Sequence, residues 1–255
     1  MGDDSSRLRD LYLDSMIRIL TNTIYQDGNI QPQRDPAFDP SRREIGRDWP
    51  ANALTMIGRK RLQNVRRLAE QVLIEEVPGD LIETGVWRGG ACIMMRAVLR
   101  AYDDRVRKVI CADSFKGLPP PDIERFPIDK GDRHHTITEL AVSREEVASG
   151  FDRCGLLDEQ VLFLEGFFRE TLPTMRNRTF ALIRLDGDMY ESTIQALENL
   201  YPSLSVGGYL IVDDYGAIPA CTKAVNDYRD SHAITEPLQT VDWTGRWWQK
   251  QYPSS

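Results

Sequence analysis

Arg184-Leu185-Asp186-Gly187-Asp188-Met189-Tyr190, taken together with Ile211-Val212-Asp213-Asp214-Tyr215, decides the fold. In each stretch an apolar run stops abruptly at acids. Strands buried on both faces of a parallel sheet read as such runs, and acids then mark where the chain emerges. Ligands of open α/β sheets bind at that carboxyl edge. Two neighbouring strands of this kind bring Asp186, Asp188, Asp213 and Asp214 together. Four carboxylates at close quarters repel one another unless protons or a cation compensate. A hard divalent cation held by oxygen ligands is the natural solution. Taken singly, Asp186-Gly187-Asp188 also suits a plain turn, and Asp213-Asp214 a pair of caps for a helix starting near Pro219. Taken jointly they favour metal-assisted chemistry.

Working outward, short apolar runs alternate with helical patterns from Leu81 onward. Strands are predicted over 81–85, 109–113, 161–164, 180–183 and 209–212. A helix with Tyr190, Ile194, Leu197 and Tyr201 on one face joins the last two. This alternation argues for a parallel sheet with right-handed crossovers. Residues 241–248 read as a hairpin around Thr244-Gly245, which places an antiparallel strand at or near one sheet edge. Upstream, Leu13, Ile17, Leu20 and Ile24 have helical spacing, as do Leu62, Val65, Ala69 and Val72. Between them, residues 28–50 carry Pro32, Pro36, Pro40 and Pro50 and read as an irregular loop. Residues 1–78 are therefore expected to form a helical cap and arm without a core of their own, on a domain spanning 79–255. The connection 114–142 is too long for an ordinary loop and follows a strand's carboxyl end, so it reads as a lid. Ser143-Arg144-Glu145-Glu146 opens the next helix as a capping box.

The formal net charge of -7 argues against a nucleic-acid partner. The basic run Arg59, Lys60, Arg61, Arg66 and Arg67 reads as a solvated helix face. Cys92, Cys111, Cys154 and Cys221 form no C-x-x-C pair and suit free thiols in a reducing cytoplasm. His134, His135 and His232 lack zinc spacing. Neither a transmembrane run nor an apolar signal core is present, so a soluble cytoplasmic protein is expected.

Glu83-Thr84-Gly85-Val86-Trp87-Arg88-Gly89-Gly90 follows the first strand and opens a helix. Glycines there permit close backbone approach. The turn departs from G-x-G-x-x-G, and an acid at Glu83 suits an amine or hydroxyl better than a pyrophosphate, which favours an aminoacyl-nucleoside over a nicotinamide dinucleotide. Asp113 ends the second strand where an acid can accept from both ribose hydroxyls, although a turn cap explains it too. Gly166-Phe167-Phe168 could wall a flat ring.

The stretches Glu83–Cys92, Ala112-Asp113-Ser114-Phe115, Leu185-Asp186-Gly187-Asp188 and Val212-Asp213-Asp214-Tyr215 resemble the macrocin O-methyltransferase family, as do Tyr25-Gln26-Asp27 and Thr55-Met56-Ile57-Gly58. The resemblance covers nearly the whole chain. It implies a class I methyltransferase fold, Rossmann-like, with a mostly parallel seven-stranded sheet, an antiparallel C-terminal strand and an N-terminal helical cap. It implies S-adenosylmethionine as cofactor and usually magnesium, with calcium or manganese able to take the same site. The acceptor is then a sugar hydroxyl of a glycosylated antibiotic. Residue by residue, it implies Glu83 and Gly85 at the methionine part, Thr55 and Met56 closing over it, and Asp113 and Ser114 at the ribose. Ser143 would reach the cofactor from its helix start, and Gly166 and Phe167 would border adenine. Asp186, Asp213 and Asp214 become the metal ligands and Asp188 the base. The lid around His134 departs from the family pattern. A phenol or catechol acceptor on the same metal site is the alternative chemistry. The small-molecule glycoside is the expected partner, and the N-terminal helix could support a homodimer or larger homo-oligomer.

Overall fold

A computed structural model describes residues 2–31 and 35–253. Residues 32–34 of the expected loop, Pro32 included, and the extreme ends of the 1–78 and 79–255 segments lie outside the described residues. In order, the chain forms α1 (Gly2–Leu20), α2 (Pro40–Glu44), α3 (Gly58–Ile74), β1 (Asp80–Thr84), α4 (Gly90–Ala101), β2 (Val109–Asp113), α5 (Arg144–Arg153) and β3 (Val161–Glu165). Then follow α6 (Phe168–Thr171), β4 (Phe180–Leu185), α7 (Tyr190–Leu200), β5 (Leu204–Val212), α8 (Pro219–Ser231), β6 (Gln239–Thr240) and β7 (Arg246–Gln249).

The sheet has seven strands in the order β3-β2-β1-β4-β5-β7-β6. The first five strands pair in parallel, while β7 runs antiparallel to β5 and β6. The expected hairpin thus forms, with β7 one place in from the edge. The chain winds outward from β1 to β3, crosses back to β4, and winds the other way. The reversal falls between β1 and β4, where an α/β sheet opens a crevice at its carboxyl edge.

Both faces of the sheet are covered. One core joins Leu13, Leu62, Val98, Ala181 and Ile211; the other joins Ile82, Ile183, Leu197, Leu210, Val225 and Trp248. Helices α1 and α3 pack on α4. Leu62, Val65, Ala69 and Val72 are fully buried as the helical spacing predicts, and burying each larger one contributes about 1.5–3 kcal/mol. On α1 the stripe stops at Leu20; Ile24 lies past the helix end and is 51% exposed. On α7 the buried face is Thr193, Ala196, Leu197 and Leu200, with Tyr190 and Ile194 only half-buried. The face is rotated because α7 packs on α8 as well as on the sheet. Cys92, Cys111 and Cys221 are free and buried, and Cys154 is free and half-buried. Among the described residues no helix is long and apolar enough to cross a membrane.

The arm between α1 and α3 is ordered by a buried cation. Arg43 is 1% exposed. Its Nη1 donates to the Thr21 carbonyl at 2.6 Å and to Asp27 at 2.9 Å, and its Nε to Asp48 at 2.7 Å. Asp27 in turn accepts from the Ala53 N–H at 3.1 Å, two residues before Thr55. Arg43→Ala strands two buried carboxylates. We predict a loss of about 3–5 kcal/mol in urea unfolding, with a far-UV spectrum like the parent's at low urea.

Candidate active site

Strand register builds the site at the β1–β4 crevice. Glu83 on β1 lies opposite Arg184 on β4, and Arg184 lies opposite Ile211 on β5. Past the strand ends, the Asp186 N–H donates to the Thr84 carbonyl and the Asp213 N–H to the Leu185 carbonyl, each at 2.9 Å. The two acid stretches therefore leave adjacent strands side by side. Gly85 sits between them at φ +80°, where a Cβ would collide with the Asp186 carbonyl oxygen. Only glycine lets the two turns touch.

Asp186, Asp188, Asp213, Asp214 and Glu83 line one pocket. Strand alternation does not carry past Leu185, so Asp186 and Asp188 meet through a turn. Asp188 has φ +56°, an unusual but tolerated conformation for aspartate. Its N–H donates to Asp214 Oδ2 at 3.2 Å. Two arginines answer the acids. Arg184, 1% exposed, binds Glu83 and Asp213 and holds Asp186 at 2.8 Å. Arg61 binds Asp213 and lies 3.2 Å from Asp242. The basic run on α3 is thus not uniformly solvated: Arg59, Lys60 and Arg67 are exposed, Arg66 is half-buried, and Arg61 points inward to the acids.

In this cluster five carboxylates outnumber the two guanidiniums that bind among them. Burial raises Asp188 to about 7, against the pull of His134. Burial, with Asp188, Asp186 and Asp213 nearby, drives Asp214 well above the carboxylate range. Burial also raises Asp186, opposed by Arg184. Such a cluster must take up protons or a cation. Oxygens of Asp186, Asp213 and Asp214 lie within 4.8 Å of one another. That is about twice the 2.0–2.6 Å ligand distance of Mg2+ and Ca2+. An all-oxygen, acid-rich set of this size fits a hard divalent cation.

The other half of the pocket is lined by Glu83, Gly85, Asp113, Ser114, Phe167, Thr55 and Met56. Burial raises Glu83 to about 7, opposed by Arg184. Its second oxygen accepts from the Cys92 thiol at 2.9 Å. Asp113 spans both readings: one oxygen accepts from the Val86 N–H and the other from the Phe115 N–H, each at 2.8 Å, while the side chain still borders the pocket. Ser114 is held by the Gly117 carbonyl at 2.6 Å. Thr55 and Met56 reach over because the Gly90 N–H donates to the Leu54 carbonyl at 2.9 Å, an approach that a Cβ at Gly90 would block. An acid at one end, a strand-end acid at the other and an aromatic wall fit an aminoacyl-nucleoside.

Two predicted residues fall outside the pocket lining. Ser143 is exposed, and its Oγ accepts from the Glu146 N–H at 3.2 Å as the cap of α5. Gly166 stands beside the lining rather than in it, tied by its N–H to the Asp113 carbonyl at 2.9 Å. His134 from segment 114–142 does line the pocket. Its Nδ1 is 2.6 Å from Asp132. Burial works against its charged form, but Asp188 and Asp132 outweigh that and raise its pKa.

A family profile for macrocin-O-methyltransferase (TylF) matches residues 9–250. The chain belongs to the macrocin O-methyltransferase family. It is 52% identical over 94% of its length to 93% of the 8-demethyl-8-(2,3-dimethoxy-alpha-L-rhamnosyl)-tetracenomycin-C 4'-O-methyltransferase of Streptomyces olivaceus. It is 45% identical, over 94% of its length and 96% of the relative, to the mycinamicin III 3''-O-methyltransferase of Micromonospora griseorubida. The solved structure of the O-methyltransferase NovP superimposes with a TM-score of 0.91 at 51% identity, covering 96% of this chain and all of that one. The fold is thus that of the class I O-methyltransferases, and the protein is an O-methyl-transferring enzyme.

Within this macrocin-type O-methyltransferase, Arg184 and Arg61 are the residues that sequence reading passes over. A charged side chain inside the apolar run 180–185 is the available signal for Arg184. None exists for Arg61, whose partner lies 152 residues away. Asp214, which no arginine among the described residues binds, gives the cleanest metal test. We predict that Asp214→Asn weakens Mg2+ binding by about tenfold or more in calorimetry. Protons compete for the raised Asp186 and Asp214 carboxyls, so wild-type affinity should rise as pH rises. Affinity that is flat with pH and unchanged in the variant would refute the site.

Proposed function

We propose that the chain is an S-adenosylmethionine-dependent, Mg2+-assisted O-methyltransferase acting on a sugar hydroxyl of a glycosylated natural product. The observation that carries this reading is the placement of Asp188. It lines one pocket with the Asp186, Asp213 and Asp214 cluster and, across Arg184, with the Glu83–Asp113 half. The relative named for a rhamnosyl-bearing tetracenomycin, at 52% identity, supports a glycoside acceptor.

S-adenosylmethionine, when bound, supplies an electrophilic methyl group on its sulfonium. A divalent cation lowers the pKa of a hydroxyl that shares it. Glu83 and Gly85 hold the amino-acid end of the cofactor, and Asp113 and Ser114 the ribose. Phe167 borders the base, and Thr55 and Met56 exclude water from the cofactor. Asp186, Asp213 and Asp214 hold the cation, with Arg61 and Arg184 fixing Asp213 so that its oxygens do not rotate. Asp188 accepts the proton of the acceptor hydroxyl as the oxygen takes the methyl group, leaving a methyl ether and the thioether by-product. A base near 7 suits that task at neutral pH. Holding both reactants in line supplies much of the acceleration.

In this reading residues 1–78 are the cap and arm, 79–255 the catalytic domain and 114–142 its lid. Exposed Leu8, Leu11 and Ile19 on α1 support a homodimer or larger assembly, and the free thiols support a cytoplasmic enzyme.

Asp188→Asn should cut kcat by about 10²–10⁴ while calorimetric affinity for S-adenosylhomocysteine stays near wild type. A parental rate removes Asp188 as base. Incubation with S-adenosylmethionine, Mg2+ and matched panels of deoxysugar glycosides and catechols should give methyl ethers on the glycosides alone. Catechol ethers without glycoside ethers would overturn the acceptor class.

A further inference from the structure

Helix α7 begins two residues after Asp188, yet its own sequence gives it no cap. The N-cap position is Met189, and no side chain there accepts a hydrogen bond. The first turn of a helix leaves N–H groups that need acceptors. Here they come from sixty residues upstream. Asp129 sits at the end of the short turn Pro127–Asp129 in the middle of segment 114–142. Its Oδ1 accepts from the Tyr190 N–H at 2.8 Å, and its Oδ2 from the Glu191 N–H at 3.0 Å. The residue is 2% exposed. Phe126, three residues earlier, packs its ring on Tyr190 with centroids 5.9 Å apart.

We propose that Asp129 is the latch of the lid: it caps α7 from within segment 114–142, so that lid closure and the ordering of the Asp188 turn are one event. A carboxylate is the fitting group, because it can satisfy two N–H donors at once and its charge complements the positive end of the helix dipole. When the lid lifts, both donors lose their acceptors together. The turn 186–189 then loses the fixed helix start that follows it. The same lid carries His134, so the latch also sets where that imidazole stands relative to Asp188. A second tie, from Trp87 Nε1 to the Glu139 carbonyl at 2.8 Å, pins the far end of the segment to the glycine turn and not to α7. Asp129 is thus a positioning residue. Its kinetic effect rests on the assignment of Asp188 as base; its structural effect does not.

Hydrogen–deuterium exchange of the full-length protein tests the latch, with S-adenosylhomocysteine present. In Asp129→Ala, amides of both 118–140 and the first turn of α7 should exchange about tenfold faster, the scale of losing a helix cap. Asp129→Asn keeps one good acceptor and should fall between, which preserves the test if the alanine variant folds poorly. Trp87→Phe should loosen the lid while leaving α7 protected. In Asp129→Asn, kcat should fall while affinity for S-adenosylhomocysteine holds. Loosening of the lid without α7, or of neither, in the Asp129 variants overturns the latch. Joint loosening of lid and α7 upholds it even if Asp188→Asn turns over normally, an outcome that would sink only the base assignment.

Discussion

Excess negative charge in a buried place is the constraint from which the rest of this structure follows. Glu83, Asp186, Asp188, Asp213 and Asp214 share one pocket, and two arginines oppose them. Two like charges about 4 Å apart cost about 4 kcal/mol even at an effective dielectric near 20. A strand interior is an expensive place for a guanidinium, with a penalty of several kcal/mol per buried ion. Arg184 is kept in β4 nonetheless, because its three acidic neighbours would be costlier without it. Its position is fixed by register: it pairs across the strand with Glu83 and reaches Asp186 and Asp213 beyond.

The same electrostatics gives the N-terminal segment its purpose. Arg61 leaves α3, crosses to Asp213, and so ties the cap to the acid cluster. Arg43 does the equivalent inside the arm, where Asp27 then holds the strand of backbone leading to Thr55. Arg88 adds hydrogen bonds to the Pro50 and Ala53 carbonyls at 3.1 and 3.0 Å. Cap and sheet also share one hydrophobic core. A segment that looks accessory by its composition is therefore wired to the chemistry at several points. The wiring explains how Thr55 and Met56, well upstream of β1, come to overhang a pocket built at its far end.

Much of this was legible in the sequence, and the physical reason is locality. The apolar runs 109–113 and 180–183 read as strands because burial on both faces leaves no alternation to confuse them. The acids of 186–188 and 213–214 read as a site because they end such runs. Gly85 and Gly90 read as a close-approach turn because only glycine tolerates it. What stayed hidden depends on distant partners. Arg61 looks like any basic residue on a polar helix face until Asp213 arrives 152 residues later. Asp129 looks like one more acid in a polar loop until α7 docks on it. The resemblance puts Ser143 at the cofactor, whereas its Oγ accepts from the Glu146 N–H as a local cap and the residue lies outside the pocket lining. The left-handed backbone of Asp188 leaves no mark in the sequence either, since Asp186-Gly187-Asp188 suits a turn without fixing its conformation.

A division of labour follows from where these groups sit. The acids and the glycine turn are set by strand register and by backbone contacts such as that between Gly85 and Asp186, so small sequence changes elsewhere leave them in place. Other lining residues come from segments 114–142 and 28–50, among them His134, Leu118 and Trp49. Those positions carry no register constraint. A reaction centre that must align a hydroxyl oxygen with a methyl group to within a fraction of an ångström needs the first kind of structure. Choice among acceptors needs the second, since a loop can be reshaped without moving a strand. The point where the two kinds meet is the start of α7, and there the Asp129 carboxylate of segment 114–142 is bonded directly to the helix that follows Asp188.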